Sequence, residues 1–158
     1  MRVYADTSFL VRLVTEEPGT EAAMADYHRL GRPAMFYLPL HSLEVANAVR
    51  QRAFHLRHSA AASEKAAIKR ETQTALALLS KFITRRVFIE SSVEIDTAIE
   101  LARSLSAKHT ERLGCRGFDL LHVALALELE CEAFLTADRI QGTLARAEGL
   151  DVTISAEG

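Results

Sequence analysis

Two acidic residues directly follow apolar segments that have the length of buried strands. Asp6 comes after residues 3–5, and Asp138 comes two positions after residues 133–136. In open parallel α/β sheets the reactive crevice lies beyond the carboxyl ends of the strands. We therefore expect both carboxylates at one edge of a sheet, where they could do chemistry together. Helix capping is the alternative for each, since Asp is a favoured N-cap and its charge suits the helix dipole.

A third acid, Asp119, lies in a segment that is apolar nearly all round. Residues 118–129 read Phe-Asp-Leu-Leu-His-Val-Ala-Leu-Ala-Leu-Glu-Leu, a pattern that predicts a buried helix. Ionised carboxylates are rarely buried unless they are paired or metal-bound. His122 lies three residues further along on the same helical face. Asp119 could instead bond to free N–H groups of the first turn, and His122 could be a core imidazole with satisfied hydrogen bonds.

A fourth acid, Glu44, is expected in the first turn of a helix that follows the second strand, with Asn47 one turn further on the same face. Capping would explain Glu44 alone, but not why four acids gather at one edge. Like charges held together raise one another's pKa and cost stability unless a cation neutralises them. Carboxylate oxygens suit Mg²⁺ or Mn²⁺, and no Cys/His spacing typical of zinc is present. The predicted ligands of a divalent cation are Asp6, Glu44, Asp119 and Asp138.

Short apolar segments alternate with longer helical patterns along the chain. Strands are predicted at residues 2–5, 35–38, 87–89, 133–136 and 152–154. Helices are predicted at residues 7–14, 20–30, 42–57, 60–82, 93–108, 118–131 and 138–147. In the third helix we expect Ser42 to be the N-cap and positions 43, 46, 49, 53 and 56 to be buried. Parallel strands need crossover connections, so the alternation favours an α/β sandwich with a mainly parallel sheet of about five strands.

Length and composition limit the class of protein. The 158 residues fit a single domain spanning 1–158, and the 49% hydrophobic content excludes intrinsic disorder. Charges interrupt every apolar run, so no membrane span is expected. Asp6 stands where a signal peptide would be apolar, and Cys115 and Cys131 form no C-x-x-C pair. These features predict a cytoplasmic protein with reduced thiols.

Positive charge is concentrated in the middle of the chain. Residues 50–86 hold nine Lys or Arg and two acids, a net charge of +7 in a chain whose net charge is −2. Such a segment could attract a phosphate backbone, and Arg50 and Arg52 are its first candidates. A solvated helix pair is the alternative.

Taken together, the acidic motifs resemble those of the PIN domain family. The matching segments are Asp-Thr-Ser at 6–8, Ser-Leu-Glu-Val-Ala-Asn at 42–47, Phe-Asp-Leu-Leu-His-Val-Ala-Leu-Ala at 118–126 and Leu-Thr-Ala-Asp at 135–138. Their order and strand-end placement extend the resemblance from position 2 to about 154. The short chain is most similar to the VapC toxins of bacterial and archaeal toxin–antitoxin pairs.

The resemblance implies a Rossmann-like α/β/α sandwich and an endoribonuclease dependent on Mg²⁺ or Mn²⁺, which hydrolyses RNA phosphodiesters with metal-activated water. The four acids would then be both catalytic residues and metal ligands. The residues that match supporting positions in the motifs are Thr7, Ser8, Asn47, His122 and Thr136. Arg116, close to Asp119 in the sequence, joins Arg50 and Arg52 as a candidate contact to RNA.

The resemblance also implies partners. Such toxins are paired with a small antitoxin protein and form homodimers. The basic segment 50–86 corresponds to a helical projection that in this family contacts a dimer partner, RNA or the antitoxin. Which of these applies to the present chain is left open by the sequence.

Other functions have less support in the residues. A haloacid-dehalogenase phosphatase needs a second Asp where Ser8 stands, and the G-x-x-x-x-G-K-[ST], G-x-G-x-x-G and G-x-S-x-G motifs are missing. Residues 114–117 match the G-x-x-G loop of KH domains only as a four-residue pattern. Two alternatives stay open: a non-catalytic PIN-like module that binds RNA or protein, and a structural protein whose acids only cap helices.

Overall fold

The structure, a computed structural model that describes residues 1–155, contains one parallel sheet of five strands. The strands are β1 (Val3–Ala5), β2 (Met35–Tyr37), β3 (Phe88–Glu90), β4 (Ala133–Thr136) and β5 (Asp151–Ile154). They are arranged in the order β3-β2-β1-β4-β5, and each neighbouring pair is parallel. The predicted α/β class and strand number are confirmed.

Within residues 1–155, seven helices connect the strands. They are α1 (Thr7–Val14), α2 (Thr20–Arg29), α3 (Pro39–Ser59), α4 (Lys65–Thr84), α5 (Ile95–Leu113), α6 (Gly117–Glu128) and α7 (Arg139–Ala147). Side chains alternate across a strand, so each face of the sheet has its own core. On one face Val3 and Leu135 pack with residues of α1–α4, and on the other Tyr4 and Phe134 pack with residues of α5–α7. The molecule is therefore an α/β/α sandwich.

The central position of β1 creates the point at which the strand order reverses. The chain proceeds from β1 to β2 and β3 on one side, and then returns to place β4 and β5 on the other. The backbone N–H of Asp6 donates to the carbonyl of Leu135 at 2.9 Å, which joins the ends of β1 and β4. Ligands of open α/β sheets bind in the crevice beyond the strand ends at such a switch point.

The start of α3 differs from the prediction that Ser42 is its N-cap. The helix begins at Pro39, whose fixed φ suits a first turn, and the N-cap is Leu38. The side chain of His41 closes this turn, because its Nδ1 accepts a hydrogen bond from the backbone N–H of Leu38 at 3.0 Å. As a result, Glu44 lies in the second turn of α3 rather than in the first.

The predicted buried face of α3 is also wrong in part. Leu43 is 69% exposed and Leu56 is 37% exposed, whereas Val45 and Val49 are buried. Only the first half of α3 packs on the sheet, and from Arg50 onward the helix contains no buried residue. A pattern that assumes one buried face along the whole helix therefore wrongly predicts burial near both ends of α3.

The structure bears on two expectations from composition, which concern membrane-spanning helices and the cysteine thiols. Within residues 1–155, none of the helices has the length and apolar character needed to cross a bilayer. Cys115 and Cys131 are both free and both buried. Burial raises the pKa of the Cys131 thiol to about 12, so this group is a neutral core side chain.

The packing of α7 on the sheet leaves no room at Gly142. A Cβ atom at this position would lie 2.6 Å from Cδ1 and 2.7 Å from Cγ1 of Ile154, and 3.2 Å from Cγ2 of Thr136. We predict that Gly142→Ala lowers the free energy of unfolding by about 1–3 kcal/mol, the usual cost of overpacking. In the control variant Gly117→Ala, no atom lies within 4 Å of the added Cβ. Urea denaturation compares the two, and equal stability of both variants would contradict the prediction.

Candidate functional site

A cleft of about 500 Å³ opens at the carboxyl ends of β1 and β4. All four predicted acidic ligands line it: Asp6, Glu44, Asp119 and Asp138. They come from the β1–α1 junction, from α3, from the first turn of α6 and from the N-cap of α7. The fold thus brings together four carboxylates that are up to 132 positions apart in the sequence.

Asp6 lies at the bottom of the cleft and is 3% exposed. Its Oδ1 accepts hydrogen bonds from the backbone N–H of Phe9 at 2.9 Å and from Oγ of Ser8 at 2.7 Å. Its Oδ2 accepts from Oγ1 of Thr136 at 2.7 Å. Burial raises the pKa of the Asp6 carboxyl, although His122 and these hydrogen bonds act in the opposite direction. The charged form of Asp6 therefore lacks sufficient compensation from the protein alone.

Two hydroxyl groups connect Asp6 to the end of β4. Thr136 is fully buried, and its Oγ1 also accepts from the backbone N–H of Asp138 at 2.8 Å. The Oγ of Ser8 accepts from the backbone N–H of Ala137 at 2.9 Å. Each hydroxyl donates to Asp6 and accepts from the backbone of residues 137–138. This arrangement fixes the carboxylate of Asp6 relative to the loop that carries Asp138.

Glu44 is held by a separate chain of hydrogen bonds. Its Oε2 accepts from Oγ1 of Thr7 at 2.7 Å and contacts Nε2 of His122 at 2.8 Å. Nδ1 of His122 lies 2.8 Å from the hydroxyl of Tyr4, which is on the central strand. Burial alone would raise the pKa of Glu44, but the hydrogen bond and charge of His122 together with the Thr7 hydroxyl outweigh it, so the pKa is lowered. Glu44 is thus ionised, and Nε2 of His122 donates to it.

His41 supports this chain of hydrogen bonds, a role that the sequence reasoning missed. Its ring stacks on that of His122 with centroids 5.4 Å apart and on that of Tyr37 with centroids 5.7 Å apart. Burial and the proximity of His122 lower the pKa of His41 to about 3. His41 is therefore neutral and packs behind His122, and no sequence signal places it there when Ser42 is the predicted N-cap of α3.

Arg116 joins the other two acids. Its Nη2 lies 3.0 Å from Oδ2 of Asp138 and 3.4 Å from Oδ1 of Asp119, and its Nε lies 3.2 Å from Oδ2 of Asp119. The backbone N–H of Arg116 also donates to Oδ2 of Asp119 at 2.9 Å. The guanidinium thus bridges two carboxylates that come from different helices.

Helix capping, the alternative explanation for the acids, describes part of their geometry. Asp6 accepts from the N–H of Phe9 as the N-cap of α1. Asp138 accepts from the N–H groups of Ile140 at 2.7 Å and Gln141 at 3.0 Å as the N-cap of α7. In Asp138 only Oδ1 makes these capping bonds, and Oδ2 faces Arg116. Capping therefore accounts for one oxygen of Asp138 and leaves the other for a cation.

Gln141 is a site residue that the sequence reasoning missed. It is buried and lines the cleft, and its Nε2 donates to the carbonyl of Asp119 at 3.5 Å. Its Oε1 lies 3.3 Å from Oγ1 of Thr136. The spacing Asp138-x-x-Gln141 has the form of a capping box, which was a usable signal.

One predicted supporting residue, Asn47, and two predicted RNA contacts, Arg50 and Arg52, do not line the cleft. Asn47 is exposed on α3, and Ala48 lines the cleft in its place. The guanidinium of Arg52 donates to the carbonyl of Glu16 at 2.5 Å and lies 3.9 Å from the carboxylates of Glu17 and Glu71. Arg50 lines a different, basic groove between α3 and α4.

The donor set fits a hard divalent cation, but its side chains face protein donors. Carboxylate oxygens are the ligands that Mg²⁺ and Mn²⁺ prefer. In the described part of the chain, no group of three or more His, Cys, Asp or Glu side chains is placed to hold a metal ion as it stands. The reason is local: hydroxyls bind Asp6, an imidazole binds Glu44, and a guanidinium binds Asp119 and Asp138. A metal ion would share these carboxylate oxygens with the hydroxyl and imidazole donors and compete with the exposed guanidinium.

The raised pKa of Asp6 gives a prediction for stability in the absence of metal. A raised folded-state pKa means that the contribution of Asp6 to stability is fully present below the unfolded pKa of about 3.9 and is lost as pH rises through the folded pKa. Asp6→Asn lacks this loss. We therefore predict that its free energy of unfolding, relative to the wild type, increases from pH 4 toward pH 7. Urea denaturation in the presence of chelator measures the free energy of unfolding. The control is Asp151→Asn, which changes an exposed carboxylate. A relative stability of Asp6→Asn that falls with pH would refute the prediction.

The position and chemistry of the cleft agree with the family whose motifs the sequence contains. The sequence model of the PIN domain matches residues 3–147, which is most of the chain. A search among curated proteins found no match. PIN domains are typically metal-dependent nucleases and generally bind RNA. The motif resemblance is confirmed at the level of the family, and the chain belongs to the PIN domain family.

Proposed function

We propose that this protein is an endoribonuclease dependent on Mg²⁺ or Mn²⁺ and the toxin of a toxin–antitoxin pair. One observation carries the proposal: four acids from separate elements of a PIN domain converge on one cleft at the switch point of the sheet. Four converging carboxylates repel one another, and a cation relieves that repulsion. A domain that only bound a partner would have no evident use for this costly cluster.

The proposal gives each of the four carboxylates a role. Asp6, Glu44 and Asp119 would hold the ion directly, and Asp138, at the rim of the cleft, would bind it through water or hold a second ion. Held by these residues, the ion would supply activation of water for attack on a phosphodiester and neutralisation of the charge that develops on the phosphate.

The remaining cleft residues position these ligands. Ser8 and Thr136 hold both oxygens of Asp6 against the β4–α7 loop. Thr7 and His122 fix Glu44, and His122 is in turn oriented by the Tyr4 hydroxyl. Ligands whose orientation is fixed by neighbouring hydrogen bonds lose less freedom when they bind a metal.

A basic groove between α3 and α4 is our candidate for contact with the RNA backbone. Its volume is about 540 Å³, and its lining includes Arg50, Arg57, Lys65 and Lys69 but no acidic residue. Phe54, which is exposed at the same groove, offers a ring on which a base could stack. Charge of one sign beside an exposed aromatic ring suits single-stranded RNA.

The proposed biological setting follows from the likeness to VapC toxins. A small antitoxin protein would cover the acidic cleft, and the toxin would form a homodimer. Both free cysteines are buried, which fits the cytoplasmic location that the sequence predicts.

Metal-dependent cleavage is the direct test of the proposal. We predict that the wild type cuts a mixture of structured RNAs with Mg²⁺ or Mn²⁺ and not with chelator. Loss of a ligand should reduce the cleavage rate by more than about 100-fold, so Asp6→Asn and Asp119→Asn should both be inactive. The control Asp151→Asn, which changes an exposed carboxylate on β5, should cut like the wild type.

The possible failures have different meanings. If all four proteins cut alike, the activity is a contaminant and the assignment of the acids is wrong. If none cuts but all bind RNA equally, the non-catalytic binding module becomes the better description of the protein.

The basic groove makes a second prediction, which concerns binding. Lys65→Ala and Lys69→Ala should weaken RNA binding and reduce the slope of log K against log salt by about 0.7 for each lost phosphate contact. Arg103→Ala, on α5 and paired with Glu100, is the control for a generic loss of positive charge. Fluorescence anisotropy across a salt series gives the slopes. Slopes equal to that of the wild type would contradict the assignment of this groove as a contact to the RNA backbone.

A further inference from the structure

Arg116 occupies a position where a metal ion and a guanidinium would compete for the same oxygen. Asp138 uses Oδ1 to cap α7, so Oδ2 is its available oxygen. That atom lies 3.0 Å from Nη2 of Arg116. The same guanidinium contacts both oxygens of Asp119. A cation that binds Asp119 directly, with Oδ2 of Asp138 binding it through water or holding a second ion, would therefore compete with Arg116 for these oxygens.

The guanidinium of Arg116 binds Asp119 and Asp138, but a cation could replace it at both carboxylates. The side chain of Arg116 is 76% exposed and that of Asp119 is 9% exposed, so water screens the guanidinium end of this ion pair and weakens it. The backbone N–H of Arg116 bonds to Asp119 independently of the guanidinium. Release of the side chain would thus leave α6 capped and Asp119 in place.

The other acids of the cleft are held differently. Asp6 accepts hydrogen bonds from hydroxyls and a backbone N–H, and Glu44 is bound by a hydroxyl and an imidazole. These donors carry no permanent charge. Arg116, by contrast, places a full positive charge between Asp119 and Asp138.

We infer that Arg116 is an internal counter-ion of the cleft, which a divalent cation displaces from Asp119 and Asp138. The inference rests on the proposed metal site and adds that the Arg116 guanidinium competes with the metal ion for carboxylate oxygens. In the metal-free protein Arg116 reduces the repulsion between these two carboxylates. When the cation binds, the backbone of Arg116 keeps the released guanidinium at the mouth of the cleft. There it can contact a phosphate oxygen of the substrate.

Competition has a thermodynamic consequence that does not involve cleavage. If metal binding expels the Arg116 side chain, then removing that side chain removes a cost of metal binding. Arg116→Ala should therefore bind Mn²⁺ at least about threefold more tightly than the wild type, in line with the loss of an exposed bridging ion pair. If Arg116 instead held the carboxylates in the geometry that binds metal, Arg116→Ala would bind Mn²⁺ more weakly than the wild type.

Two further variants separate the bridge from positive charge in general. Arg116→Lys keeps the charge but cannot contact both carboxylates with one planar group. Its Mn²⁺ affinity should lie closer to that of Arg116→Ala than to that of the wild type. Arg139→Ala removes an exposed arginine next to Asp138 and should stay within about twofold of the wild type, because ion pairing of exposed charges is weak.

The experiment is a titration of Mn²⁺ into each purified full-length protein, with free Mn²⁺ measured by electron paramagnetic resonance. Asp119→Asn is included to locate the ion, and melting curves in chelator verify that each variant is folded. Tighter binding by Arg116→Ala and Arg116→Lys, with Arg139→Ala unchanged, supports the inference. Equal or weaker binding by Arg116→Ala overturns it and leaves the metal site standing. Arg116→Lys matching the wild type also overturns it, in favour of a general charge effect.

The proposed function fails in a different way in the same titration. If Mn²⁺ binds to none of these proteins, or if Asp119→Asn binds it as well as the wild type, the cleft is not the metal site. The inference about Arg116 then falls with the proposed function. Binding lost in Asp119→Asn but unaltered in Arg116→Ala contradicts the inference alone.

Discussion

The buried charge of Asp6 at the end of the central strand is the constraint on which the site depends. The parallel order of the sheet places this carboxylate at the switch point, between the ends of β1 and β4. Burial there makes ionisation costly, and the protein offsets only part of the cost with Ser8, Thr136 and the N–H of Phe9. The remainder makes a bound cation favourable, because opposite charge close to a buried carboxylate stabilises its ionised form.

The cleft compensates its four acids with donors of increasing charge from bottom to rim. Hydroxyls bind Asp6, an imidazole binds Glu44, and an exposed guanidinium binds Asp119 and Asp138. Donors near the bottom are fixed by the sheet, as the bond between His122 and Tyr4 illustrates. The donor at the rim is carried by a long, solvated side chain. This order gives a rigid base for the site and an exchangeable partner at its entrance.

The sequence predicted the fold and the convergence of the four acids on one cleft, but not their side-chain partners. Alternating strand and helix patterns fix a parallel sheet, and the ends of parallel strands necessarily meet at one edge, so Asp6 and Asp138 could be placed together. The start of α3 was misplaced because Pro39 and His41 supply a first turn that the Ser42 pattern conceals. The bridge from Arg116 to Asp138 spans 22 positions and depends on one side-chain conformation, which no spacing rule encodes.

The central claim is that a divalent cation binds among these carboxylates, and a crystal of the protein soaked in Mn²⁺ tests it most directly. Anomalous scattering near the manganese edge locates the ion without assumptions about activity. The account predicts an anomalous peak in the cleft, within bonding distance of carboxylate oxygens of Asp6 and Asp119. A well-ordered cleft with no peak at saturating Mn²⁺, or peaks only elsewhere on the surface, would contradict it.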